Sequence, residues 1–114
     1  MPYVHVSLSV PLTREECGEL REDIAQLMPL LPNKNRDNTM IRIDSDCFIE
    51  MGEPGEPCVG VEIQLFHASP KEAKNSFVAA VTELMGKKFG VHPRRIYMRF
   101  IELQEWGTNG GLRS

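Results

Sequence analysis

Apolar and polar residues alternate through Val4-His5-Val6-Ser7-Leu8-Ser9, the period of a strand with one buried face. The same alternation returns fifty-seven residues later in Val61-Glu62-Ile63-Gln64-Leu65-Phe66. A helix signal follows each strand. Thr13-Arg14-Glu15-Glu16 reads as a capping box, in which a threonine hydroxyl and a glutamate three residues on satisfy each other's backbone N–H groups. Ser69-Pro70-Lys71-Glu72 reads as a second, with proline at the first helical position. The first helix carries Cys17, Leu20, Ile24, Leu27 and Leu31 on one stripe; the second carries Ala73, Phe77, Val81 and Leu84. Gly86 or Gly90 is placed to end the second helix. Another strand follows each helix: Thr39-Met40-Ile41-Arg42-Ile43-Asp44 matches Ile96-Tyr97-Met98-Arg99-Phe100-Ile101, again fifty-seven residues apart.

The pattern predicts a single domain over residues 1–114, built from two βαβ units (1–50 and 58–105) joined by the turn-rich stretch Glu50-Met51-Gly52-Glu53-Pro54-Gly55-Glu56-Pro57. Right-handed crossovers set both helices on one face of the sheet. The fold class is α+β: a four-stranded mixed sheet and two helices in a two-layer sandwich. Val4, Val6 and Leu8, with Ile96, Met98 and Phe100, then face the helices. Tyr3, His5, Ser7 and Ser9, with Tyr97, Arg99 and Ile101, lie on the uncovered face. That face meets either water or sister subunits, and periodicity does not choose between them.

Composition narrows the functional classes. The formal net charge of -3, with its cations scattered in short pairs, gives no electrostatic reason to expect nucleic acid as a partner. No stretch reaches the ~18 apolar residues of a membrane span, and Met-Pro-Tyr-Val-His-Val does not begin as a signal peptide does. Cys17, Cys47 and Cys58 form an odd set without a CxxC pair, which suits small hydrophobes in a reducing cytoplasm. His5 and His67 are placed in strands and His92 in a loop, without metal-ligand spacing. No phosphate-binding glycine loop and no Ser-His-Asp spacing is present.

Pro2 is the candidate for chemistry. If Met1 is removed, a secondary amine stands at the mouth of the first strand. A free α-amino group titrates near ~8, and an apolar pocket beside a cation lowers that value toward a usable general base. Proline alone is common enough to carry little weight.

Its setting adds more. The repeat, the start Pro2-Tyr3-Val4, the Gly-x-x-x-Glu-Pro-Cys run from Gly52 to Cys58, and His92-Pro93-Arg94-Arg95-Ile96-Tyr97 together resemble the macrophage migration inhibitory factor and D-dopachrome tautomerase family. The resemblance spans nearly the whole chain and runs without a gap from Lys34 to Arg99. It implies Pro2 as the catalytic base and Lys34 as the cation that holds a substrate carboxylate. Phe66, preceded by Leu65, stands where the family has an isoleucine whose backbone N–H meets the ligand. Tyr97 matches a pocket tyrosine supplied by the neighbouring subunit, and Trp106 corresponds to an aromatic near the C-terminus. A homotrimer whose sheets wrap a central barrel is implied as well, and would cover the open sheet face.

Arg99 replaces an asparagine. It offers the pocket an added cation suited to an acidic or dicarboxylate substrate, or else forms an ion pair with Glu102 or another subunit; Arg42, its counterpart in the repeat, reads as structural. The family's CxxC is broken by Val61, so thiol–disulfide exchange is not expected. The implied activity is keto–enol tautomerisation of 2-keto acids such as phenylpyruvate, with no metal or organic cofactor, in the cytoplasm, although the resemblance also allows non-classical secretion. Two alternatives stay open. One is a proline-dependent hydratase, dehalogenase or decarboxylase of unsaturated acids, marked by Arg42 and Arg99 converging on Pro2. The other is a non-enzymatic, cytokine-like signalling protein.

Overall fold

A computed structural model describes all residues from 1 to 114. Strand β1 (Pro2–Leu8) leads to helix α1 (Arg14–Leu27) and strand β2 (Met40–Asp44). Strand β3 (Val59–Phe66), helix α2 (Lys71–Phe89) and strand β4 (Ile96–Leu103) repeat that order, and a short hairpin of β5 (Trp106–Thr108) and β6 (Gly111–Arg113) follows. The sheet runs β2-β1-β3-β4. Its outer pairs are parallel and its central β1–β3 pair is antiparallel. This is the expected α+β sandwich of two βαβ units.

The strand alternation does what it implies. Val4, Val6 and Leu8 of β1 and Val61, Ile63 and Leu65 of β3 are buried against Leu20 and Ile24 of α1 and Phe77, Val81 and Met85 of α2. Phe77 meets Phe100 of β4 edge to face, with centroids 6.2 Å apart, the geometry that ring quadrupoles favour. On α1 the Thr13 N–H donates to Glu16 Oε1 at 2.8 Å and the Glu16 N–H donates to Thr13 Oγ1 at 3.1 Å, closing the expected box. The helix stops at Leu27, because a 3₁₀ turn containing Pro29 follows; Leu31 is buried from beyond that turn rather than from the helical stripe.

The second helix start differs from expectation. Pro70 is the N-cap and no side chain caps α2. The Ser69 N–H instead donates to Glu102 Oε2 of β4 at 2.7 Å, and Lys74 Nζ reaches Glu102 Oε1 at 3.0 Å. A carboxylate from a distant strand thus organises this helix start, and the Ser69–Glu72 box does not form. Gly90, at φ +65°, ends α2 in the left-handed conformation that glycine adopts without a Cβ clash. Met85, not Leu84, is the fully buried residue of its last turns.

The connector before β3 is held by one side chain. Arg95 donates to the carbonyls of Met51 at 2.6 Å, Glu56 at 3.0 Å and Pro57 at 3.1 Å, using the fixed fork of its guanidinium. On the open sheet face the register lines up Arg42, His5, Glu62 and Arg99 across all four strands. His5 Nε2 meets Asp44 Oδ2 at 2.7 Å, Arg42 Nε meets the same oxygen at 3.1 Å, and Arg99 pairs with Glu62. Of the alternatives for Arg99, the ion pair with Glu102 does not form: three residues apart on one strand, the two side chains lie on opposite faces, and Arg99 pairs with Glu62.

The Ser69 N–H, followed by Lys74, holds the Glu102 carboxyl below its ordinary titration range. A carboxyl depressed by folding contributes stability above the ordinary carboxylate range and loses it as pH falls through the folded value. Glu102→Gln is therefore expected to cost about 1 kcal/mol at pH 7 in urea denaturation, with the deficit shrinking as pH falls below 4. A deficit that is constant with pH would remove the charge from this account.

Candidate active site at the start of the first strand

Pro2 opens β1 and is buried. A proline is tolerated at the first position of a central strand, where its missing N–H costs little. Register sets Pro2 beside Leu65 of β3, and Tyr3 between Gln64 and Met40. In front of Pro2 is a cavity of about 410 Å³. Tyr3 of β1, Asn38 in the turn before β2, Met40 at the start of β2, and Gln64 of β3 form one side of it. The run from Leu103 through Glu105, Trp106 and Gly107 to Thr108 forms the rest.

Lys34 reaches this region from the turn after α1, and its Nζ donates to the Phe66 carbonyl at 3.0 Å. Burial first, and the positive charge of Lys34 second, pull the Met1 α-ammonium below its ordinary pKa. The Phe66 ring lies 6.4 Å from Trp106 and 3.9 Å from the ring of His67. His67 is not in a strand as expected: it follows β3 at φ +70°, with its N–H on the Leu103 carbonyl at 2.8 Å. That bond ties the end of β3 to the end of β4 beside the cavity.

Five of the residues singled out in the sequence are thus gathered at one end of the sheet: Pro2, Lys34, Leu65, Phe66 and Trp106. Leu65 contributes backbone only, since its side chain is fully buried in the core. Tyr97 and Arg99 lie elsewhere. They pair with Gly60 and Glu62 on β3, whereas Pro2 pairs with Leu65. Five residues of strand separate Gly60 from Leu65, roughly 17 Å at ~3.3 Å per residue. Tyr97 and Arg99 line a second concavity on the open face, of about 620 Å³, with His5, Ser7 and Glu62. Tyr97 is 65% exposed there. Arg42 and Arg99 do not converge on Pro2 within the chain, since each is held by a carboxylate on the open face.

Tyr3, Asn38, Met40, Gln64, Glu105 and Thr108 were not anticipated as cavity walls. The hairpin that supplies Thr108 carried one legible signal, Asn109-Gly110. Both residues have positive φ, at 51° and 78°, as a two-residue type I′ hairpin requires.

The arrangement joins a partly desolvated chain terminus, a nearby cation and a half-open cavity of mixed polar and apolar walls, the elements from which a general-base site for an anionic substrate can be built. No helix is long and apolar enough to cross a membrane. The fold has close likenesses among solved structures. The chain superposes on Leishmania major MIF2 with a TM-score of 0.88 at 18% identity, covering 98% of this chain and 97% of that one. The macrophage migration inhibitory factor-like protein EhMIF of Entamoeba histolytica gives 0.85 at 17% identity, covering 97% of each chain. Pt0534, solved after inactivation by 2-oxo-3-pentynoate, gives 0.81 at 16% identity, covering 96% of this chain and 93% of that one. No curated protein matches by sequence. The family description of macrophage migration inhibitory factor, however, matches residues 1–112, and the chain belongs to that family, with the tautomerase-superfamily fold.

Proposed function

We propose that the chain, once freed of Met1, is a keto–enol tautomerase of 2-keto acids such as phenylpyruvate, with Pro2 as general base and acid. The observation that carries this reading is the chain terminus itself: it borders a half-open cavity, and partial burial together with Lys34 favours its neutral form. Removal of Met1 passes that setting to the Pro2 nitrogen. Neutral Pro2 then takes a proton from the carbon beside the carbonyl, and the protonated Pro2 delivers it to the carbonyl oxygen as the enol forms. The reverse direction returns it to carbon. Lys34 holds the substrate carboxylate with the N–H donors that Phe66 leaves unused. Phe66 and Trp106 seat the organic body and exclude water. The likeness to Pt0534, a protein inactivated by 2-oxo-3-pentynoate, supports a 2-keto acid as the ligand class.

The reading includes a homotrimer. The open sheet faces would meet sister copies, and Tyr97 and Arg99 of one copy would complete the cavity at Pro2 of the next. Sedimentation at micromolar concentration is expected to give three chain masses, and a clean monomer would remove both the trimer and the shared site. Lys34→Ala is expected to raise KM for phenylpyruvate at least tenfold with a smaller effect on kcat, because the carboxylate is held in ground and transition states alike. An unchanged KM would take Lys34 out of the pocket. Retention of Met1 turns the Pro2 nitrogen into an amide and is expected to abolish turnover. Pro2→Gly keeps an amine and is expected to lower kcat by ~10²–10⁴. If the Met1-retaining protein, verified by intact mass, matches the processed one, the proline mechanism is wrong.

A further inference from the structure

Of all the side chains that line the cavity at Pro2, only Glu105 carries a charge at neutral pH. It stands between Leu103, the last residue of β4, and Trp106, the first of β5. Glu62 holds Arg99 and Glu102 holds Lys74, but Glu105 has no cationic partner. Of the cations nearby, Lys34 lies on the Phe66 carbonyl, whereas Arg113, opposite Trp106 in the hairpin, forms no ion pair and lines the adjoining concavity. Within one chain, Glu105 is therefore the charge on the cavity wall itself, with Lys34 and Arg113 at its margins.

We propose that Glu105 sets the charge preference of this site. It admits 2-keto acids with a single carboxylate, favours those whose far end offers a hydrogen-bond donor or a cation, and disfavours dicarboxylates. This rests on the tautomerase reading and names its substrate class. It runs against the expectation drawn from Arg99, which a sister copy would bring to the cavity with its guanidinium already paired to Glu62. A lone substrate carboxylate is balanced by Lys34. A second one brought within ~8 Å of Glu105, in a dielectric between those of water and protein, is disfavoured by roughly five- to tenfold.

The test uses the full chain with Met1 removed and a matched pair of substrates, 4-carboxyphenylpyruvate and its neutral isostere 4-carbamoylphenylpyruvate. Wild type is expected to prefer the neutral isostere in kcat/KM by at least fivefold. Glu105→Gln should bring the two within twofold of each other, and Glu105→Lys should invert the preference. A ratio unmoved by Glu105→Gln would overturn the proposal. So would a wild-type preference for the dianion that disappears in Arg99→Gln, because control would then lie with Arg99. Calorimetric binding of the same two acids separates this proposal from the reading it rests on. If neither acid is turned over but the isostere binds more tightly until Glu105 is neutralised, the tautomerase reading falls and Glu105 stands. Equal affinities in wild type, or no binding of either acid, would overturn the role of Glu105.

Discussion

The register of β1 is the constraint on which the rest of the structure depends. This strand is central, parallel to β2 on one side and antiparallel to β3 on the other. Val4, Val6 and Leu8 have no measurable exposure, and side chains alternate strictly between the two faces of a strand. A slip of one residue would turn all three to the open face and drive Tyr3, His5 and Ser7 into the core. The same register sets Pro2 beside Leu65, one residue from the Phe66 carbonyl that Lys34 holds. Core packing and placement of Pro2 are therefore one specification, enforced by several buried aliphatic side chains at about 1.5–3 kcal/mol each.

The two faces of the sheet carry different physics. The helix face is apolar and closed. The open face carries Arg42, His5, Glu62 and Arg99 in one cross-strand row, with Asp44 drawn below its ordinary pKa by the His5 hydrogen bond and, less strongly, by Arg42. Charges that neutralise one another in pairs can be covered by another surface at a smaller desolvation cost than lone charges. The exposed Met40 and Tyr97 lie toward the two edges of the same sheet. A face of this kind is compatible with burial against sister copies while keeping a definite orientation.

Most of the fold was legible because it is repetitive and periodic. The fifty-seven-residue offset paired strand with strand and helix with helix, and Thr13 with Glu16 marked a helix start by a purely local interaction. What local pattern missed is what distant residues decide. Ser69 lost its capping role to Glu102, thirty-three residues away. Pro29 ended α1 before Leu31, yet the core still claimed Leu31. The cavity draws on four separate stretches of chain, so no window of sequence contains it. Glu105 in particular has no periodic or motif signature, and only its place between β4 and β5 brings it to the cavity. The family resemblance supplied Pro2, Lys34, Phe66 and Trp106 together, which alternation and capping alone would not have done.

The β5–β6 hairpin gives the cavity one wall, and it belongs to no part of the core. Trp106 and Thr108 are half-buried and the other residues of its two strands are exposed. Segments with so few buried contacts open at a free energy well below that of global unfolding. This wall can therefore detach in a sub-global fluctuation while the four-stranded sheet and both helices stay folded. The cavity opens more widely through that motion. Heat or mild denaturant would also strip Trp106 from the cavity before the core registers any loss, so local opening and global unfolding need not share one midpoint.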